Sequence, residues 1–126
     1  MDPVCPRATQ KTTVISIVKL IGKRNNRLAK FAFRVELKAR PGKEADVEAF
    51  LAQGAALAKK EQGIVTWYAF KDEDQPGVYG IFDTFDDAAG REAHVSGELA
   101  KALFGKADEL FSEAPALHRL AVISNK

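Results

Sequence analysis

Between residues 31 and 40, apolar side chains occupy every second position, with charged side chains between them from Arg34 onward. This period of two predicts a strand with one buried face. Pro41-Gly42 ends the strand, because a proline disfavours helical geometry in the residue before it. From Lys43 to Glu61 the apolar residues recur at intervals of three and four. That spacing predicts an amphipathic helix, with Gly63 as its terminator.

Two further strands are predicted after this helix. Ile64–Phe70 is apolar at nearly every position, and Val78–Phe85 is similarly rich in β-branched and aromatic residues. The polar segment between them, residues 71–77, contains a proline followed by a glycine. The two strands therefore form a predicted antiparallel hairpin with a long turn.

The remaining chain predicts two helical segments and a last strand. Asp86 is the expected N-cap of a helix that runs to about Val95, and Ser96 is the expected cap of a second segment. Pro115 closes that segment and Leu117–Ser124 is the final strand. The apolar face of the second segment is supplied by four residues: Leu99, Leu103, Leu110 and Phe111.

The order β-α-β-β-α-β predicts an α+β domain, a ferredoxin-like antiparallel sheet with its helices on one face. Strands two to four carry large apolar residues at both parities; Trp67, for example, opposes Tyr68 and Phe70. A second apolar face is unusual on a monomer and predicts a homodimer joined sheet to sheet. The alternative is a third layer built by residues 1–30.

Residues 1–30 are interpreted as an extension of a domain that spans 31–126. The first twelve residues predict a flexible tail, and Thr12–Ile21 is compatible with an accessory strand. Residues 1–40 hold ten Lys and Arg residues against two carboxylates, whereas residues 41–126 hold nine against fifteen. The basic run from Lys23 to Lys30 could contact phosphates, but no nucleic-acid motif or aromatic platform accompanies it. A solvated linker is the favoured interpretation, and no nucleic-acid partner is expected.

The sequence contains no motif typical of a membrane protein, a secreted protein, a zinc protein, a nucleotide-binding protein or a serine hydrolase. The apolar stretch Val14–Ile21 is interrupted by Lys19 and is shorter than the roughly 20 residues of a bilayer span. No secretory leader is evident, and the single Cys5 fits a reducing compartment, so we expect a cytoplasmic protein without a membrane partner. One cysteine and two histidines are too few for a structural zinc site. No glycine-rich phosphate loop or nucleophile elbow is present.

Residues 33–124 resemble the antibiotic biosynthesis monooxygenase domains of the dimeric α/β-barrel superfamily. The resemblance is carried by the order and spacing of four segments rather than by a single specific motif. They are Lys38-Ala-Arg-Pro-Gly-Lys-Glu44, Glu61-Gln-Gly-Ile64, Ile81-Phe-Asp-Thr-Phe85 and Glu92-Ala-His-Val-Ser96.

The resemblance implies a homodimer with a pocket between sheet and helices in each protomer. It also implies oxidation of quinols or polycyclic aromatics without metal or flavin, so no cofactor is expected. Some relatives degrade haem, using an Asn in the first strand and a Trp in the third. This chain has Arg34 and Glu36, and Phe82, in those neighbourhoods, which argues against haem. The alternative is a non-catalytic small-molecule-binding or stress-response module of the same fold.

His94 is the candidate catalytic base, because it lies on or beside the apolar stripe of its helix and titrates in a suitable range. A cofactor-free oxygenase must remove a phenolic or enolic proton and hold the anion near dioxygen in an apolar cavity. A structural histidine bonded to a backbone carbonyl is the competing interpretation.

The other candidates would bind the substrate. Trp67, Tyr68, Tyr79 and Phe82 are expected to line a pocket for a small aromatic molecule, although core or interface packing is the favoured interpretation for any one such residue taken alone. Asp83 and Arg91 fall near the expected pocket mouth, where plain surface charges are the competing interpretation.

Overall fold

The computed structural model describes residues 29–126, so the predicted tail and accessory strand lie outside the described residues. Seven elements follow one another along the chain, and the predicted order is confirmed, with two successive helices between the third and fourth strands. They are β1 (Phe31–Lys38), α1 (Glu44–Ala58), β2 (Ile64–Lys71), β3 (Val78–Phe85), α2 (Ala88–Val95), α3 (Glu98–Leu110) and β4 (Ala116–Ala121).

The four strands form one antiparallel sheet in the order β2-β3-β1-β4. This places β1 and β3 in the centre and leaves β2 and β4 as edges, which is the arrangement of the ferredoxin-like fold. The predicted fold class is therefore confirmed. Within the described residues, no helix is both long enough and apolar enough to cross a bilayer.

The period-two pattern of β1 has the expected consequence. Phe33, Val35 and Leu37 are buried on the side of the helices, whereas Arg34 and Glu36 between them are exposed. The core lies between this side of the sheet and helices α1 and α3. Its buried members are Val35, Leu37, Val47, Leu51, Tyr79, Ile81, Leu103, Leu110 and Phe111.

Two predicted helix caps are wrong by one residue. Asp87, not Asp86, caps α2, and its Oδ1 accepts a hydrogen bond of 2.7 Å from the amide of Gly90. Ser96 follows α2 as its C-cap, and Gly97 is the N-cap of α3. In both places adjacent polar or small residues can serve, and the exact position depends on how the chain leaves the preceding element.

Two element lengths also differ from the prediction. Helix α1 ends at Ala58, and the chain then turns through residues 59–63 before β2. Strand β4 covers Ala116–Ala121 rather than Leu117–Ser124, because it pairs only as far as the end of its partner β1 at Phe31. Ile123 lies beyond the strand and is almost fully exposed.

The side of the sheet away from the helices, which we call the free face, has two halves. On β2 and β3 it presents Tyr68, Phe70 and Phe82; the first two are 62% and 45% exposed. On β1 and β4 it presents polar side chains, among them Arg34, Glu36 and His118. The free face is therefore apolar on one half and charged on the other.

Candidate functional site

Three ionisable side chains from separate parts of the chain meet beneath the helices. Asp83 comes from β3, His94 from α2, and Glu61 from the connection between α1 and β2. The Nε2 atom of His94 lies 3.1 Å from Oδ2 of Asp83, and its Nδ1 atom lies 2.8 Å from Oε1 of Glu61. The imidazole is thus held between two carboxyl groups, and we call this group the acid–histidine–acid triad.

Asp83 is buried because of its place in the strand alternation. It shares the helix-facing side of β3 with Ile81 and Phe85, and its exposed fraction is 0%. Among the described residues, neither of its carboxylate oxygens has a hydrogen bond of good geometry. The contact with His94 is therefore a close ion-pair approach that is not directed along the ring N–H bond.

Burial raises the pKa of Asp83 above its ordinary value; contact with His94 opposes this shift and the charge of Glu61 adds to it. Burial by itself lowers the pKa of His94, but the close contacts with the carboxyl groups of Asp83 and Glu61 together outweigh burial and raise that pKa. Asp83 and His94 consequently retain their protons to a higher pH than the same groups in water.

Aromatic rings fix the histidine from its remaining sides. The ring of Phe85 lies 5.3 Å from the His94 ring, and that of Phe33 lies 6.3 Å away. Both phenylalanines are fully buried. Because these contacts and the two carboxyl groups surround the imidazole, its orientation is strongly determined.

A small cavity of about 30 Å³ lies next to the triad, between the sheet and helices α1 and α3. Asp83 and His94 supply its polar lining, and most of the remaining wall is apolar, including Val35, Trp67 and Leu99. We call this space the inner cavity. Its size suits a water or dioxygen molecule.

The structure brings together some of the predicted site residues and separates others. His94, Asp83 and Trp67 line the inner cavity. Tyr68 and Tyr79 border a larger groove on the outer side of Trp67. Phe82 lies on the free face, on the other side of the sheet from the triad.

Arg91 does not line the inner cavity. Its guanidinium lies 5.2 Å from the centre of the Phe31 ring and 5.9 Å from that of Phe33, and it donates to the carbonyl of Leu120 at 3.2 Å. These contacts tie α2 to the sheet and give Arg91 a structural explanation.

Glu61 is the member of the triad that sequence reasoning did not assign to the site. It belongs to the segment Glu61-Gln-Gly-Ile64 that carried part of the family resemblance, but it follows the helix in an irregular connection. No periodicity marks such a residue, and only the packing of that connection against α2 brings it to His94. Among the described residues, no cluster of His, Cys, Asp or Glu is arranged to hold a metal ion.

Comparison with known proteins identifies relatives. The model of the family described as "Antibiotic biosynthesis monooxygenase" matches residues 31–106. The NE2512 protein of unknown function from Nitrosomonas europaea is 39% identical, with a TM-score of 0.75 over 79% of this chain and 95% of that chain. Rv0793 from Mycobacterium tuberculosis, at 17% identity, has a TM-score of 0.68 over 75% of this chain and 96% of that chain. No curated protein matches the sequence.

Replacing His94 by Gln is expected to remove a pH dependence of stability. The pKa of His94 is raised in the folded state, so its contribution is complete below about 6.5, the unfolded value, and is lost as pH rises through the folded value. Urea unfolding of wild type between pH 6 and 9 should show this decline, and His94→Gln should show less of it. His118→Gln, which changes an exposed histidine, is the control. If the free energy of unfolding of wild type and of His94→Gln changed with pH in parallel, the raised pKa of His94 would be refuted.

Proposed function

The chain belongs to the antibiotic biosynthesis monooxygenase family, and we propose that it oxidises a phenolic or enolic aromatic small molecule with dioxygen, without a bound cofactor. The single observation that carries this proposal is the fully buried carboxylate of Asp83, which lines an otherwise largely apolar cavity and has no well-directed hydrogen bond among the described residues. A site of this kind can take a proton from a substrate and keep the resulting anion away from water.

We assign the role of base to Asp83 rather than to His94. Both ring nitrogens of His94 already face a carboxyl group, so neither is free to accept a proton from a substrate. Asp83 has no well-directed hydrogen bond among the described residues, and burial raises its pKa, which makes it a stronger base than a carboxylate in water.

His94 and Glu61 then act as positioning residues. The protonated imidazole next to Asp83 stabilises the ionised carboxylate, which would otherwise be costly to bury. Glu61, at 2.8 Å from Nδ1, holds the ring in place and favours its protonated form. The triad thereby keeps a negatively charged oxygen in a dry environment.

The proposed reaction balances without an added reductant. Asp83 accepts the proton of a phenol or enol. The resulting substrate anion combines with dioxygen at a carbon that carries hydrogen and gives a peroxide anion. The protonated Asp83 then returns its proton to the peroxide. Loss of the remaining C–H proton and cleavage of the O–O bond release water and leave a carbonyl. The substrate carbon supplies four electrons, one oxygen atom enters the product and the other leaves in water.

The proposal includes a homodimer joined through the free face. Tyr68, Phe70 and Phe82 together form an apolar patch that association would shield, at about 25 cal/mol per Å² of buried apolar surface. Arg34 and Glu36 carry opposite charges on the same face, so a twofold arrangement can place each near its counterpart in a second copy. A reducing, cytoplasmic setting fits the single cysteine.

Replacing Asp83 by Asn tests the proposed base. An amide cannot accept the substrate proton, so the rate of dioxygen uptake with a responsive quinol should fall about 10²- to 10⁴-fold. The measurement uses metal-free protein, a panel of quinols and anthrones, and an oxygen electrode. Asp74→Asn, which changes an exposed carboxylate in the β2–β3 turn, is the matched control and should retain the wild-type rate.

Equal rates for wild type and Asp83→Asn would remove Asp83 from the mechanism. A wild-type protein that consumes no dioxygen with any compound of the panel would instead favour the non-catalytic binding module. Circular dichroism of each variant establishes that it is folded.

Replacing Tyr68 by Asp tests the proposed dimer. Tyr68 is 62% exposed in the protomer, so the change should leave the fold intact while placing a charge in the apolar patch. Sedimentation at micromolar concentration should show a dimer for wild type and a monomer for Tyr68→Asp. Phe104→Asp changes a similarly exposed aromatic residue on the helical side, and it should remain dimeric. A monomeric wild type would contradict the assignment.

A further inference from the structure

Two spaces of very different size share one wall. The larger is an open groove of about 480 Å³ between α1 and the edge strand β2, which we call the outer groove. Ala52 and Ala55 line it from α1, and Ala69 lines it from β2. Trp67 and Leu51 line both the outer groove and the inner cavity.

The volumes of the two spaces suit molecules of different size. Pockets for small organic ligands measure roughly 300 to 1,000 Å³, a range that includes the outer groove but not the inner cavity of about 30 Å³. An aromatic ring therefore fits in the outer groove and cannot reach Asp83 while the wall remains in place. Dioxygen fits in the inner cavity as it stands.

Trp67 is held in this wall by packing. A Cβ atom built on Gly54 of α1 would lie 3.1 Å from Cη2 and 3.3 Å from Cζ2 of the indole, so the absent side chain provides the space that the ring occupies. The indole Nε1 is buried and has no hydrogen-bond partner among the described residues. Moving the ring would therefore break van der Waals contacts and no hydrogen bond, and it could allow Nε1 to gain a partner.

One end of the outer groove is polar. The Tyr79 hydroxyl donates a 2.8 Å hydrogen bond to Glu48, whose carboxylate lies 3.7 Å from Nζ of Lys71. Burial together with Glu48 raises the pKa of Tyr79 to about 12, so its hydroxyl remains protonated. The ammonium group can bind a carbonyl or phenolate oxygen, and the carboxylate can accept a hydroxyl proton.

We propose that a planar aromatic molecule with a hydroxyl or carbonyl group at one end docks in the outer groove, and that it reaches Asp83 by displacing the Trp67 indole from Gly54. Trp67 thus separates the aromatic substrate from the space that holds dioxygen, and Gly54 sets the position of this partition. The inference rests on the proposed function for the identity of the docked molecule as a substrate. The groove and the partition stand on the geometry alone.

The chain contains a single tryptophan, so intrinsic fluorescence reports on the partition directly. The probe is 1,8-dihydroxyanthraquinone, added under nitrogen so that no turnover occurs. In the wild type, the probe should shift the emission maximum of Trp67 to longer wavelength, because the indole leaves an apolar position. In Gly54→Ala, the added Cβ would crowd the indole by a few tenths of an ångström and weaken its packing, so the probe should displace the ring at a lower concentration than in the wild type.

Gly105→Ala is the matched control. Gly105 is a helical glycine of α3, and a Cβ built there meets no atom within 4 Å, so this variant should behave as wild type. Binding that leaves the Trp67 emission maximum unchanged, equal half-saturating probe concentrations for wild type and Gly54→Ala, or no binding of the probe would each overturn the proposal.

A second variant keeps the test decisive if Gly54→Ala does not fold. Trp67→Leu removes the partition, and binding followed by the visible absorbance of the probe should become about tenfold tighter because no ring has to be displaced. Unchanged or weaker binding would overturn the proposal. Since these measurements are anaerobic, they are independent of dioxygen uptake: a protein without oxygenase activity can still show the displacement, and an active oxygenase can fail to show it.

Discussion

The burial of one carboxyl group constrains the rest of this protein. Asp83 occupies a helix-facing position in a central strand, where its exposed fraction is 0% and it has no contact with the bulk solvent. An ionised carboxylate in such a place is strongly unfavourable without a charged partner. His94 provides that partner, and Glu61 in turn secures His94. Helix α2 and the connection before β2 must therefore pack where they do for the carboxylate to remain ionised.

The two sides of the sheet have different proposed functions. The helical side contains the core, the triad and the inner cavity, and its only proposed route to a larger ligand passes Trp67 at the edge strand. The free face contains the apolar patch around Tyr68 and Phe82, which we assign to a second copy of the chain. Trp67 and Tyr68 are neighbours in β2 but face opposite sides of the sheet, because successive strand residues point in opposite directions.

Sequence patterns predicted the architecture well because each element has a strong local signal. Strand β3 has the predicted bounds Val78–Phe85, and the sheet has the topology expected from the element order. Helix caps were less accurate, since Asp86 and Asp87 are equally good by type and only the path of the chain selects Asp87. The candidate site was only partly predictable. His94 and Asp83 are chemically conspicuous, but the contact between Glu61 and His94 spans 33 residues and leaves no local pattern.

The triad depends on a positively charged imidazole between two carboxyl groups, so the protonation state of His94 is the property to measure first. Nitrogen-15 NMR shifts of the imidazole can be followed through a pH titration, and His118→Gln identifies which of the two histidines gives each signal. We expect His94 to titrate above about 6.5, the value of an unperturbed histidine, with both nitrogens protonated below its midpoint. A ring that is neutral at pH 6.5, with a single N–H and a midpoint below that value, would mean that His94 is not a cationic partner for Asp83.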